Sequence, residues 1–344
     1  MSAGVVVGRT MYRVYYFGGR PIFAAPSKPR RLRLAGLARY QPVTPKRAAY
    51  RSLMYLSMMA GADGLFSTTT DDPVGGDVEL DFERWMTDVR HVLSDEQATG
   101  VIFWPPQRDR GRIYVHLFGE DLRLLAFAKI AFDDHNSQCL HREAQAVGTL
   151  GERNLRTFRV PRVVSLGEVA DAVTLVLESI PIAARPIESS PEAYPAGCVV
   201  ELAGTSRHVD VQELSWWHDN DRRDDNPFWS ELAGFIGRGV PVCRAHGDFV
   251  IGNIVRESDR LWIFDWEESR PDAPVLTDEV TFFMGLYHAR VLADPIEGLR
   301  LLAKRFLDGA DDARRRDVMM ALAFRDAIGI EAATLLIRNW SELP

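Results

Sequence analysis

Cysteine is nearly absent from this chain: Cys139, Cys198 and Cys243 are the three in 344 residues. Their number is odd and no two share metal-ligand spacing, which argues against a disulfide framework or zinc module and for reduced thiols in a cytoplasmic protein. No apolar run reaches the roughly 18 residues that a membrane-spanning helix needs. Met1-Ser2-Ala3-Gly4-Val5 has no charged segment ahead of a long apolar one, so the protein is expected to be soluble and not secreted. No G-x-x-x-x-G-K-[ST] run occurs, which argues against a P-loop. The 46% hydrophobic content is enough to bury a large core.

Acid is missing from one region. Residues 1–60 hold Arg9, Arg13, Arg20, Lys28, Arg30, Arg31, Arg33, Arg39, Lys46, Arg47 and Arg51 and no Asp or Glu, a net +11, while the rest of the chain carries −18. An acidic body favours cationic or polyhydroxyl ligands. The basic head has three outlets: an anionic membrane surface, a nucleic acid, or packing against the acidic body in the same or another copy. No zinc-finger spacing or aromatic-basic motif supports nucleic acid.

What is present is His246-Gly247-Asp248-Phe249-Val250-Ile251-Gly252-Asn253, followed by Ile263-Phe264-Asp265-Trp266-Glu267. Between them, Ile254-Val255 reads as a strand, Glu257 to Arg260 as a polar turn, and Leu261 to Phe264 as the returning strand. Such a hairpin folds Asp265 back beside Asn253. A carboxylate and an amide oxygen facing one small volume suit a hard cation that takes its other ligands from phosphates, as Mg-ATP does. Asp248, five positions before Asn253, sits where a carboxylate can accept the proton of an attacking hydroxyl.

These two motifs resemble the catalytic and metal-binding loops of the aminoglycoside phosphotransferase and choline kinase branch of the protein-kinase-like fold. The resemblance implies an α+β, bilobal protein-kinase-like fold, with a small antiparallel-sheet N-lobe, a mostly helical C-lobe and, here, an N-terminal extension. It implies Asp248 as catalytic base, Asn253 and Asp265 as Mg2+ ligands, and His246 as a brace of the loop. The activity it implies is phosphorylation of a small-molecule hydroxyl, in a sugar, amino alcohol or antibiotic, with ATP or GTP as donor. Two rivals stand beside it, a nucleotide-binding scaffold without turnover and a protein kinase. The second lacks an A-P-E signature after Asp265.

The same resemblance requires an upstream lysine on a strand and a glutamate on the next helix. Lys129 lies in the apolar run Leu124 to Phe132, and Glu143 follows fourteen residues later in a helical stretch. Their ion pair would hold the lysine head against phosphates. Ala172 to Pro181 reads as a strand that ends at the hinge, where backbone groups at Glu178 and Ile180 would meet the adenine. The turn between the strands Val101–Trp104 and Arg112–Phe118 has one glycine and no G-x-G-x-x-G. Arg108, Arg110 and Arg112 could touch phosphate there, although a solvated basic turn is the favoured reading.

Elsewhere, Gly18-Gly19 marks a hairpin turn, Thr44-Pro45 opens a helix to about Met59, and Asp81 starts another to about Leu93. Trp216-Trp217 with Asp219, Asp221, Asp224 and Asp225 has the makings of a cation cage, but the tryptophans read first as packing residues. Thr277 or Asp278 is the expected N-cap of a helix, and the resemblance implies Asp278 as a second candidate, for anchoring the site. The division expected is an extension over 1–95, an N-lobe over 96–182 and a C-lobe over 183–344.

Overall fold

A computed structural model describes residues 10–40, 45–75, 78, 80–105, 111–218, 226–235 and 239–343. The chain divides into two compact units, Met1–Gly148 with Pro161–Ile182, and Thr149–Val160 with Ala183–Pro344. The α+β class expected from the sequence is what the structure has.

The first unit is built on an eight-stranded antiparallel sheet. In chain order its elements are β1 (Tyr12–Phe17), β2 (Arg20–Pro26), α1 (Arg30–Arg39), α2 (Pro45–Ala60), β3 (Ser67–Thr70), α3 (Phe82–Leu93), β4 (Thr99–Phe103), β5 (Arg112–Phe118), β6 (Leu124–Ala131), α4 (Asp134–Gly151), β8 (Val163–Val169) and β9 (Ala172–Glu178). The intervening β7 (Phe158–Arg159) belongs to the second unit. The strand order is β3-β1-β2-β4-β5-β6-β9-β8. Gly18 and Gly19, at φ 61° and 77°, make the tight β1–β2 turn, because both central positions of such a turn need positive φ. Asp81 caps α3 by accepting the Arg84 N–H at 3.1 Å.

Strand alternation sends the buried side chains to both faces of this sheet. Ile102, Ile113, Val115, Ala126, Ala128 and Ile130 meet Phe82, Trp85, Met86 and Val89 of α3 on one face. On the other, Val101, Phe103 and Phe118 meet Leu32 and Leu37 of α1 and Met54 and Met58 of α2. Farther along that second face, Leu140 and Ala144 of α4 pack on Leu175 and Leu177 of β9. Each large apolar side chain so buried contributes about 1.5–3 kcal/mol relative to exposure.

Residues 10–70, expected within an extension, therefore supply three strands and two helices to the same sheet unit. β2 pairs with β4 through Phe23↔Phe103 and Ala24↔Ile102. Residues Ile22 to Pro26 are buried on both faces, a condition met only inside a layered sheet. Part of the basic charge of this region is met within the unit. Asp63 accepts the Tyr15 hydroxyl at 2.7 Å and lies 3.2 Å from the Arg33 guanidinium and 3.5 Å from that of Arg13. Arg30 and Arg51 donate to the carbonyls of Met59 and Tyr40.

In the second unit, β10 (Arg185–Pro186), β13 (Ile254–Glu257), β14 (Arg260–Ile263) and β7 form one sheet, with β14 and β7 parallel. A second sheet joins β11 (Arg207–Val209), β12 (Val240–Ala245) and β15 (Arg270–Pro274). The helices are α5 (Ala196–Ala203), α6 (Ser215–His218), α7 (Pro227–Phe235), α8 (Thr277–Leu286), α9 (His288–Ala293), α10 (Pro295–Phe306), α11 (Asp312–Ala327) and α12 (Glu331–Arg338). Central α11 packs on α7, α8, α12 and β15.

Several local expectations change. Arg159–Val164 is divided between β7 and β8, because Pro161 offers no N–H to a ladder. The N-cap of α8 is Leu276, in a left-handed conformation and without a side-chain cap; Thr277 donates back to the Pro274 carbonyl at 2.7 Å, and Asp278 is used elsewhere. Arg112 is a buried strand residue with its guanidinium 5.5 Å from the Tyr114 ring, and not part of a solvated turn. Thr44, Arg108 and Arg110 lie outside the described residues. The three cysteines are buried and none is in a disulfide among the described residues, and no described helix is long and apolar enough to cross a membrane.

The Asp63 cluster gives a test of the N-terminal docking. Asp63→Ala strands the buried Arg33 charge and should cost about 3–5 kcal/mol of unfolding free energy; urea denaturation of wild type and variant measures it.

Candidate active site

In the first unit, β6 runs between β5 and β9, with Lys129 opposite Tyr114 on one side and Leu175 on the other. The two-residue period puts Lys129 on the face that α4 covers. There its Nζ lies 2.7 Å from Glu143 Oε2, with side chains 5% and 1% exposed. A buried ion pair contributes little net stability, since desolvating both charges offsets their attraction. The pair is better understood as a device for fixing an ammonium at one point of the sheet. α4 itself starts on Asp133, which accepts the Asn136 N–H at 2.7 Å.

Glu178 closes β9, and its N–H donates to the Arg162 carbonyl at 2.8 Å. Ile180 lies just beyond, its carbonyl accepting from Arg39 of α1 at 3.4 Å. That arginine was invisible as a partner in the sequence, being 141 residues away. Arg39 also acts on His116 of β5, whose ring lies edge-on to Phe103 and against Phe127, each at 5.0 Å, with its Nδ1 enclosed and without a partner. Burial first, and the Arg39 charge second, push the His116 pKa down to about 3.

In the second unit, β12 delivers His246, Gly247 and Asp248. Gly247 has φ +85°, and a Cβ there would lie 2.1 Å from the Glu268 carbonyl, so only glycine fits. The His246 ring joins the two sequence motifs. Its Nε2 lies 2.9 Å from the Phe264 carbonyl, its Nδ1 accepts the Asp248 N–H at 3.2 Å, and its centroid is 4.3 Å from that of Trp266. The pattern places the proton on Nε2.

Asn253 closes a short 3-10 turn, Ile251–Asn253, and its Nδ2 donates to the Asp248 carbonyl at 2.9 Å and to Asp248 Oδ2 at 3.1 Å. With the amide nitrogen so engaged, the oxygen of Asn253 is the atom left for a cation. The β13–β14 hairpin pairs Ile254 with Ile263, and Phe264 N donates to the Asn253 carbonyl at 3.1 Å. Asp265 follows in a left-handed conformation, φ 69°. A non-glycine residue held there marks a position the surroundings over-determine, and such positions gather at functional sites.

Asp278, from the first turn of α8, accepts the N–H groups of His246 at 2.7 Å and Gly247 at 3.0 Å. Burial pushes its carboxyl upward, against the N–H donors of His246 and Gly247 and the charge of Arg325. Arg325 of α11 went unnoticed in the sequence. It is buried, donates to the Gly247 carbonyl and lies 3.9 Å from Asp248 Oδ1. The one available signal was an arginine directly following the apolar run Val318–Phe324. Trp216 and Trp217 are core residues, edge-on to Phe324 and Trp229 respectively; the acids at 219, 221, 224 and 225 lie outside the described residues.

The chain is similar to solved structures of small-molecule kinases. One is the ternary complex of streptomycin, ATP and APH(2'')-IIa, at 13% identity over 75% of this chain and 99% of that one, with a TM-score of 0.41. A choline/ethanolamine kinase family protein of Mesorhizobium loti matches at 16% identity over 76% and 88%, TM-score 0.38. An ethanolamine kinase of Plasmodium vivax matches at 11% over 92% and 94%, TM-score 0.40. No protein-family model and no curated protein matches the chain.

His116 predicts a pH dependence. Its folded pKa of about 3 lies below the unfolded value near 6.5, so the unfolded chain binds the extra proton between them and stability is lost as pH falls through that window. His116→Phe removes the proton. Its stability relative to wild type should be constant above about pH 6.5 and rise steadily below it, as denaturant titrations across pH would record.

Proposed function

We propose that this chain is a Mg-assisted, ATP-dependent phosphotransferase whose acceptor is a hydroxyl of a small molecule. The observation that carries the reading is the Asp248 carboxylate, oriented by Asn253 within a loop pinned by His246 and Asp278, with its side chain still 39% exposed. A carboxylate held so firmly and yet open to solvent is poised to receive a proton.

In this reading the acceptor hydroxyl approaches Asp248. As its oxygen bonds to the γ-phosphorus, the bond from that phosphorus to the bridging oxygen of the nucleoside diphosphate breaks, and the hydroxyl proton passes to Asp248. Lys129, held by Glu143, neutralises phosphate oxygens. Backbone groups at Glu178 and Ile180 take the base. The donor set fits magnesium: the Asn253 amide oxygen and the Asp265 carboxylate are hard oxygens, and no thiolate accompanies them among the residues assigned. Bound magnesium would neutralise charge on the phosphates.

No feature of the loop singles out one acceptor. The acidic body, −18 beyond residue 60, favours acceptors bearing amino groups or many hydroxyls. GTP is the alternative donor to ATP in this reading.

Asp248→Asn keeps the shape and the Asn253 contact but removes the base. Against a panel of sugars and amino alcohols with Mg-ATP, its turnover should fall on the order of 100- to 10,000-fold while nucleotide affinity is kept. Turnover equal to wild type would remove Asp248 from the chemistry; nucleotide binding without product in the wild type would favour a scaffold.

A further inference from the structure

Asp248 has a second partner besides Asn253, and it comes from the far end of the chain. Arg325 lies near the C-terminal end of α11, 78 residues beyond Gly247, and its side chain is 5% exposed. Its Nη1 donates to the Gly247 carbonyl, and its Nη2 faces Asp248 Oδ1 at 3.9 Å. Asn253 holds the other carboxylate oxygen, Oδ2, at 3.1 Å. The two oxygens of Asp248 are thus addressed by different groups, an amide on one and a guanidinium on the other.

The charge balance is informative. His246 to Asn253 contains no lysine or arginine, so the loop itself has no cation to set beside its carboxylate. Burial works against the Arg325 charge, while Asp248 first, then Asp278 and Glu268, favour it. A guanidinium stays protonated in such surroundings and offers its donors in a rigid plane, which fixes direction as well as charge. Placing one in a helix core costs desolvation, and a packing role would be met more cheaply by leucine or methionine.

We propose that Arg325 is the positioning residue of Asp248: it ties the Gly247 carbonyl to α11, holds the carboxylate in the rotamer that receives the acceptor proton, and screens the negative charge of the base from the approaching phosphoryl group. The proposal rests on the phosphotransferase reading and adds to it a link between the C-terminal helices and the reacting carboxylate. Arg325 transfers no proton and stays charged throughout.

The test compares wild type, Arg325→Met and Arg325→Lys in Mg-ATP turnover, with water and the sugar and amino-alcohol panel as acceptors. Melting curves establish the folded fraction of each. Arg325→Met should lose about 100-fold in kcat with the KM for Mg-ATP within about threefold of wild type, because the misplaced group acts on the transition state and not on nucleotide binding. Arg325→Lys, which keeps the charge and loses the fork, should recover about tenfold of that loss. A merely structural role predicts instead that kcat falls in step with the folded fraction, or that KM rises as much as kcat falls, and that lysine does no better than methionine. Any of those results overturns the proposal, as does an Arg325→Met enzyme with wild-type kcat. If Arg325→Met does not fold, the kcat and KM of Arg325→Lys decide alone. A wild type that turns over no acceptor overturns the phosphotransferase reading itself, and that outcome is recognised before any variant is compared.

Discussion

A carboxylate buried in the first turn of a helix has to find donors, and those that Asp278 finds are the N–H groups of His246 and Gly247. The candidate site of the second unit hangs from these two hydrogen bonds. They fix the loop at its entry, where glycine at φ +85° passes within reach of the Glu268 carbonyl and no side chain fits. With the entry fixed, His246 can bridge to the Phe264 carbonyl, Asn253 can turn its amide on Asp248, and Arg325 can close on the Gly247 carbonyl. Each contact satisfies a polar group that burial would otherwise penalise. The loop is consequently defined from four separate stretches of chain, a property suited to pre-organised chemistry, where a misplacement of about 1 Å is costly.

The first unit solves a different problem, that of holding one ammonium in an apolar layer. Lys129 and Glu143 pair at 2.7 Å on a face that also holds Phe127, Leu175 and Leu177. The sheet that presents them is wide because the N-terminal residues join it. Tyr15, Phe23, Leu37 and Met54 cover the face beside β4, and Asp63 gathers the charges of Arg13 and Arg33 inside. Of the basic residues at the head of the chain, Arg51, Arg30 and Arg39 are directed at the carbonyls of Tyr40, Met59 and Ile180.

Local chemistry was legible in advance; long-range partnership was not. The Gly18-Gly19 turn, the Asp81 cap and the hairpin between Asn253 and Asp265 follow from residue types a few positions apart. The Lys129–Glu143 pair was legible only through the family resemblance, which requires such a lysine and glutamate on successive elements. That β2 lies against β4 was not, because alternation tells which face a side chain takes and nothing about which strand comes next. Asp278 was read first as a cap, because acids at helix starts usually serve their own helix, and only second, through the resemblance, as an anchor of the loop, which is the role its hydrogen bonds show. Arg325 sits in a run whose periodicity says only that it is interior, so nothing local names its partner.

The central claim is that Asp265 and Asn253 hold a magnesium-bound nucleotide. The most direct measurement is the thermal stabilisation of wild type and Asp265→Ala by ATP, with and without magnesium. A ligand that binds only the native state adds RT ln(1 + [L]/Kd) to its stability, about 2.7 kcal/mol at a hundredfold excess over Kd, whatever the acceptor is. The account predicts a magnesium-dependent shift in wild type that Asp265→Ala loses. No shift in wild type, or an equal shift in both proteins, would contradict it.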